Sequence, residues 1–128
     1  MRLFDNILKE NEPEICDFNR EQMYEEGIMN VKTLKKEKYS PATIRAKRNA
    51  PFNKTEHITL KWMGKFHESL KLLIFRDKFI ITSSNEVWGN YLEQQDRFAR
   101  SLGLTEKNKS ELREMVKDAL IIKIKRLL

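Results

Sequence analysis

Residues 72–82 read LLIFRDKFIIT, and the fold class turns on them. Two readings compete. The run can continue a helix that begins at Thr55, because Ile58, Trp62, Phe66, Leu70 and Leu73 recur by threes and fours. It can also form two short strands, 72–75 and 78–82, around Arg76 and Asp77. β-branched and aromatic residues favour strand in its second half. The expectation is helix to about residue 75 and a short extended segment over 79–82.

Downstream the pattern is helical. Ser83 and Glu86 have capping-box spacing. Val87, Trp88, Tyr91, Leu92, Gln95, Phe98, Ala99 and Leu102 then form one stripe that Gly103 ends. Thr105 is a natural N-cap for a last helix from about 106 to 126. Leu112, Met115, Val116, Ala119, Leu120 and Ile122 face inward on it, and Lys123, Lys125 and Arg126 suit its C-terminal dipole. Residues 55–128 therefore read as a compact three-helix body with a short β segment near 72–82. The aromatics Trp62, Phe66, Trp88, Tyr91 and Phe98 read as core of that body rather than as a ligand box.

Upstream, charge divides the chain. Residues 1–27 hold three bases and eight acids, a net of −5. They suggest a short helix over 2–9 and a second from about 13 to Gly27, with Asn11 and Pro13 at its start. The apolar set of the second helix, Ile15, Cys16, Phe18, Met23 and Tyr24, is thin, which suits docking better than core formation. Residues 28–57 hold eight bases against two acids, a net of +6, which equals that of the whole chain. Ser40-Pro41 and Ala50-Pro51 interrupt any helix there, since the residue before proline leaves the α region. The reading is an extended basic arm over 28–54, ordered only against a partner. The fold class expected is mostly α: acidic N-terminal helix, basic arm, helical body.

Enzyme chemistry is nearly missing from the sequence. His57 and His67 are the only histidines and Cys16 the only cysteine. No ligand-like spacing for zinc, phosphate loop or dinucleotide fingerprint occurs. A non-enzyme without cofactor or metal is expected. With no apolar leader and no apolar run near the ~20 residues a span requires, so is a soluble, cytoplasmic protein away from membranes.

The basic residues carry the functional expectation. Lys35, Lys36, Lys38, Arg45, Lys47 and Arg48 crowd the arm, interleaved with Tyr39, Ile44 and Phe52. Cations displace counterions from nucleic acid, and aromatics stack on bases. A solvated linker, or an arm threaded over a protein neighbour, would have the same composition. A second group lies in RFARSLGLTEKNKSELREMV, residues 97–116. Ala99 and Gly103 keep the spacing of a helix-turn-helix, whose following helix would present Lys107, Asn108, Lys109, Ser110 and Arg113. Lys109 stands where that motif has an apolar residue, and an ordinary helical hairpin with a glycine cap is the preferred reading.

The string Phe98-Ala99-x-x-Leu102-Gly103-Leu104-Thr105, followed by Lys107-Asn108-Lys109-Ser110, resembles the closing motif of one family of phage small terminase subunits, F-x-x-L-GLT-P-x-S-R. Trp88 and Tyr91 are similar to its W-x-x-Y segment. The resemblance covers residues 88–113. Glu106 replaces the family's proline, and Lys109-Ser110 its serine-arginine. It implies a ring-forming, DNA-recognising, non-catalytic packaging subunit. The function expected is a nucleic-acid-associated assembly protein of phage or mobile-element type, homo-oligomeric, with DNA as partner. The alternative is a structural component of a virion or other large particle, whose arm and N-terminal helix grip neighbouring subunits. A small inhibitor of a host protein is a third option.

Overall fold

The computed structural model describes residues 3–61, 64–85 and 100–128. Helices α1 (Leu3–Glu10) and α2 (Glu12–Tyr24) meet at Asn11, whose side-chain amide donates to the Ile7 carbonyl at 2.8 Å. Ile7, Leu8, Ile15, Cys16 and Met23 are buried, so both helices contribute to the main core. Two buried amides, Asn19 and Gln22, complete the thin apolar set of α2.

The basic segment is not an extended arm. Strands β1 (Ile28–Asn30) and β2 (Lys35–Lys36) pair antiparallel across a turn in which Leu34 takes φ 62°. The Asn30 side-chain oxygen accepts from the Lys32 and Thr33 amides and shapes that turn. Helix α3 (Pro41–Lys47) follows. Ser40-Pro41 does not break a helix here; it begins one. The Ser40 hydroxyl accepts from the Thr43 amide, and proline fits the first helical position, where its missing N–H costs nothing.

The long helix expected from Thr55 does not form, because the backbone groups of 58–61 are committed elsewhere. The Ile58 amide donates to the Glu37 carbonyl at 2.8 Å, and the Thr59 amide to the Tyr39 hydroxyl at 3.1 Å. Leu60 adopts φ 57°. Among the described residues of this stretch only α4 (Lys65–Glu68) is helical, entered through Gly64 at φ 86°. The chain then turns into β3 (Leu70–Ile74), which pairs antiparallel with β4 (Phe79–Ser83), and the Phe75 amide closes on the Lys78 carbonyl. Leu70, Leu72, Ile81 and Ser83 are buried while Lys71, Leu73 and Ile80 are exposed, an alternation of period two. Leu70 satisfies both the helical and the strand pattern, which is why spacing alone favours helix there. Ser83 ends β4, and its hydroxyl meets that of Ser69 at 2.6 Å and accepts from the Asn85 amide; the helix expected beyond it falls on residues 86–99, outside the described residues.

The last helix, α5 (Glu106–Leu127), is capped by Thr105, whose side chain accepts from the Asn108 amide. Leu112 and Val116 are buried, but Ile122, expected inward, is 51% exposed. The described residues thus hold five helices and two small antiparallel sheets. This is a mixed α/β composition, and the mostly α fold with a three-helix body is corrected to it. One apolar cluster joins α1, α2, Met29, Ile58, Phe66, the β3–β4 hairpin and α5. The Glu12 carboxylate accepts from the Leu72 amide at 2.7 Å and ties α2 to strand β3.

Candidate nucleic-acid interface and apolar cleft

The geometry of α3 separates the basic segment's cations into two kinds. Arg45 and Arg48 lie on the outer side and are exposed, whereas Lys47 is fully buried. Its ammonium donates to the carbonyls of Phe52 and, at 3.1 Å, Lys54, and sits 5.4 Å from the Tyr39 ring centre. Burial pushes its pKa down. Lys47 is therefore corrected from a phosphate contact to a brace for the loop that follows α3. Its burial follows from tertiary packing that no local pattern announces.

Two further cations are also occupied. Lys54 lies 5.2 Å from the Tyr24 ring centre and 3.5 Å from the Glu25 carboxylate. Lys61 stands over both Tyr24 and Phe52, at 4.9 and 4.2 Å. These two rings meet edge to face with centroids 6.2 Å apart. The His57 ring nitrogen Nε2 bonds the Tyr24 carbonyl at 2.8 Å, and its imidazole fills the space a Cβ on Gly27 would need. The segment 52–61 is therefore strapped over the C-terminal end of α2 by cation–π and hydrogen-bond contacts. Lys32, Lys35, Lys36, Lys38, Arg45 and Arg48 keep exposed positions, with Lys35 3.4 Å from Glu37.

The second basic group surrounds the turn before α5. Asn19 donates to the Ser101 carbonyl and accepts from the Gly103 amide. Gln22 donates to the Gly103 carbonyl and accepts from the Thr105 amide and the Asn108 side chain. Two amides three residues apart on α2 thus fasten the whole turn. Asn108, expected to face a nucleic acid, is buried in this network. Lys107, Lys109 and Arg113 are exposed, and Lys109 bonds Glu106 at 3.2 Å. Sequence reasoning misses Asn19 and Gln22, because polar positions on an amphipathic helix signal solvent by default; their i, i+3 spacing is the available clue.

Between α1, the β3–β4 hairpin and α5 the described residues outline a cleft of about 1200 Å³. Phe4, Leu8, Phe79, Ile81, Leu112 and Val116 form much of its apolar wall. Arg76, Lys78, Lys109, Arg113 and Lys117 line it too, against the acids Asp5 and Asp77. Val31 also lines it, so the β1–β2 turn and the start of α5 share this neighbourhood. The structure brings Lys109 and Arg113 to the cleft, and leaves Lys35, Lys36, Lys38, Arg45 and Arg48 outside its lining.

Titratable groups elsewhere have structural roles. His67 is 2% exposed, and its Nε2 bonds the Thr59 carbonyl at 2.8 Å. Burial above all lowers its pKa to about 4. Arg20 donates to the His67 carbonyl at 2.6 Å. Burial likewise raises the pKa of the Cys16 thiol, which disfavours the thiolate. Among the described residues no group of three or more His, Cys, Asp or Glu could hold a metal ion. None of the described helices is long and apolar enough to cross a membrane.

No family profile, curated protein or solved structure matches the chain. Trp88, Tyr91, Phe98 and Ala99, which carry much of the terminase resemblance and the first half of the helix-turn-helix reading, lie outside the described residues, as does Trp62.

Proposed function

We propose that this chain is a non-catalytic, DNA-associated assembly subunit of phage or mobile-element type, which binds the phosphate backbone through residues 28–57. The supporting observation is the placement of cations on defined elements. Lys35 and Lys36 stand on β2, and Arg45 and Arg48 on and just after α3, all exposed. Lys32 and Lys38 flank them. A folded basic surface loses less conformational entropy on binding than a floppy arm. Such cations neutralise phosphates and release counterions; they position the protein without reading sequence.

Fluorescence anisotropy on mixed-sequence duplex DNA tests this. Arg45→Glu/Arg48→Glu should weaken binding at least tenfold at low salt, by a similar factor for unrelated sequences. The slope of log affinity against log salt should flatten by about 0.9 for each phosphate that the variant leaves unneutralised. Wild-type protein that ignores duplex DNA at ~50 mM salt, where phosphate binding is strong, would sink the reading.

A second reading, a structural component of a virion or other large particle, is favoured by exposed apolar residues. Ile122, Ile124 and Leu127 at the end of α5 are 51%, 47% and 78% exposed. Sedimentation velocity separates the two: a large oligomer formed without DNA and abolished by Leu127→Asp favours the structural role.

A further inference from the structure

We infer that the cleft between α1, the β3–β4 hairpin and α5 docks an acidic amphipathic helix from a partner protein. The argument starts from the spacing of its lining on α5. Leu112, Val116 and Leu120 repeat every four residues and form an apolar row. Lys109, Arg113 and Lys117 repeat every four residues beside it and form a cationic row. The hairpin turn supplies Arg76 and Lys78, on either side of Asp77, and β4 adds Phe79 and Ile80 beyond them. The groove thus has an apolar floor and a cationic row along its α5 flank, and its lining holds five cations against the two acids Asp5 and Asp77.

This pattern selects its occupant. The span from Lys109 to Ile121 corresponds to roughly 18 Å of helix, so about three turns of a partner helix match it. A helix laid in a groove anchors through i, i+3/i+4, i+7 apolar positions. Its positions beside the α5 row would face cations and should be Glu or Asp. A lipid or small anion would need cations at one end, whereas the α5 row runs the length of the groove. The C-terminal turn of a second copy is apolar enough, but carries Lys123, Lys125 and Arg126 and meets like charge. Nucleic acid would leave the apolar floor against phosphate. The inference stands apart from the DNA reading, which uses residues 28–57.

The test uses the full chain and two labelled 16-residue synthetic helical peptides. Both carry Leu at i, i+3, i+4 and i+7; one has Glu and the other Lys at the remaining positions. Anisotropy should show binding of the Glu peptide that weakens with salt, and at least tenfold weaker binding of the Lys peptide. Arg113→Glu/Lys117→Glu should invert that preference, an outcome mere misfolding cannot give. Ile80→Asp, at a site 41% exposed, should abolish binding of both while circular dichroism stays unchanged. The proposal is overturned if neither peptide binds, as when another part of the chain covers the cleft, or if charge makes no difference. It is equally overturned if duplex DNA displaces the Glu peptide competitively, or if wild-type chain forms a dimer that Ile80→Asp dissolves.

Discussion

Residues 28–57 and helix α5 are both rich in Lys and Arg, yet they are ordered in opposite ways. Helix α5 draws its order from its own sequence: a Thr105 cap, an apolar row at four-residue spacing, and cations at its end. The basic segment has local devices of its own, the Asn30 turn and the Ser40 cap, but draws much of its order from elsewhere. Its amides and rings are met by Tyr24, Ile58, Thr59 and Arg100, from three different parts of the chain. Val31 donates to the Arg100 carbonyl at 2.9 Å, and Asn30 pairs with Arg100 in an isolated parallel bridge. Local order survives in a sequence pattern; order supplied at a distance leaves only composition, and composition here suggests an arm.

The sharpest way to break this comparison is Lys47→Glu. A buried carboxylate would face the Phe52 and Lys54 carbonyls that the ammonium now satisfies. We expect a loss of about 4 kcal/mol or more by urea denaturation, as for a buried charge stripped of its partners. Arg48→Glu, one residue away and exposed, should change stability by less than about 0.5 kcal/mol and act on polyanion binding alone. Equal, small effects for the two would return Lys47 to the surface and restore the picture of a loose arm.

Gln22→Ala probes the joint between α2 and α5. Three hydrogen bonds to Gly103, Thr105 and Asn108 would go, and the Thr105 amide would be left without its acceptor. We expect a cost of roughly 3 kcal/mol, from buried groups left unpaired. If α5 were as self-sufficient as its pattern implies, the cost would stay below about 1 kcal/mol.

These contrasts account for what is legible in the sequence. The α5 boundaries and the Thr105 cap rest on short-range rules and can be read. The strand character of 72–75 cannot, because Leu70 fits both periods while Leu73 fits only the helical one and Leu72 only the strand one, and only the pairing with β4 decides. Helix α3 is hidden when the proline rule is applied to the wrong side of Ser40-Pro41. For the candidate site, the exposure of Lys35, Lys36, Lys38, Arg45 and Arg48 is foreseeable from charge. The burial of Lys47 and Asn108 is not, because each is held by carbonyls or amides brought in by the fold. The cleft is invisible for the same reason: its two walls lie far apart in sequence.

Acid should loosen the strap through His67. Its folded-state pKa, about 4, lies below the ordinary histidine value of 6.5. Between these two values the unfolded chain binds the proton more readily than the folded one. Stability is therefore fully present above about pH 6.5 and falls as pH drops toward 4. At pH 5 the loss assignable to this one group is about 2 kcal/mol. His67→Gln, which keeps an N–H donor for the Thr59 carbonyl, should flatten that part of the stability–pH curve. Curves for wild type and variant that run parallel from pH 7 to 4 would show that His67 titrates as it does in water.

The smallest effect tests one device in both regions. Ser40 and Thr105 each accept a hydrogen bond from the amide three residues on, Thr43 and Asn108, at 3.2 Å. Chemistry alone gives each cap about 1 kcal/mol. Their settings differ, since Ser40 is exposed and Thr105 only 4% so. Water can replace the missing acceptor at Thr43 when Ser40 becomes Ala, but has poor access to Asn108 when Thr105 does. We therefore expect Ser40→Ala to cost about 0.5 kcal/mol and Thr105→Ala about 1.5 kcal/mol. Ser40→Ala should also leave the Lys47 hydrogen bonds in place, so hydrogen exchange should rise at the amides of 43 and 44 and not at 58 and 59. If exchange rises at all four, the cap of α3 and the bonds that the 58 and 59 amides donate to Glu37 and Tyr39 open as one unit. The basic segment would then share a single local unfolding step with the strap over α2, and its order would be as cooperative as that of α5.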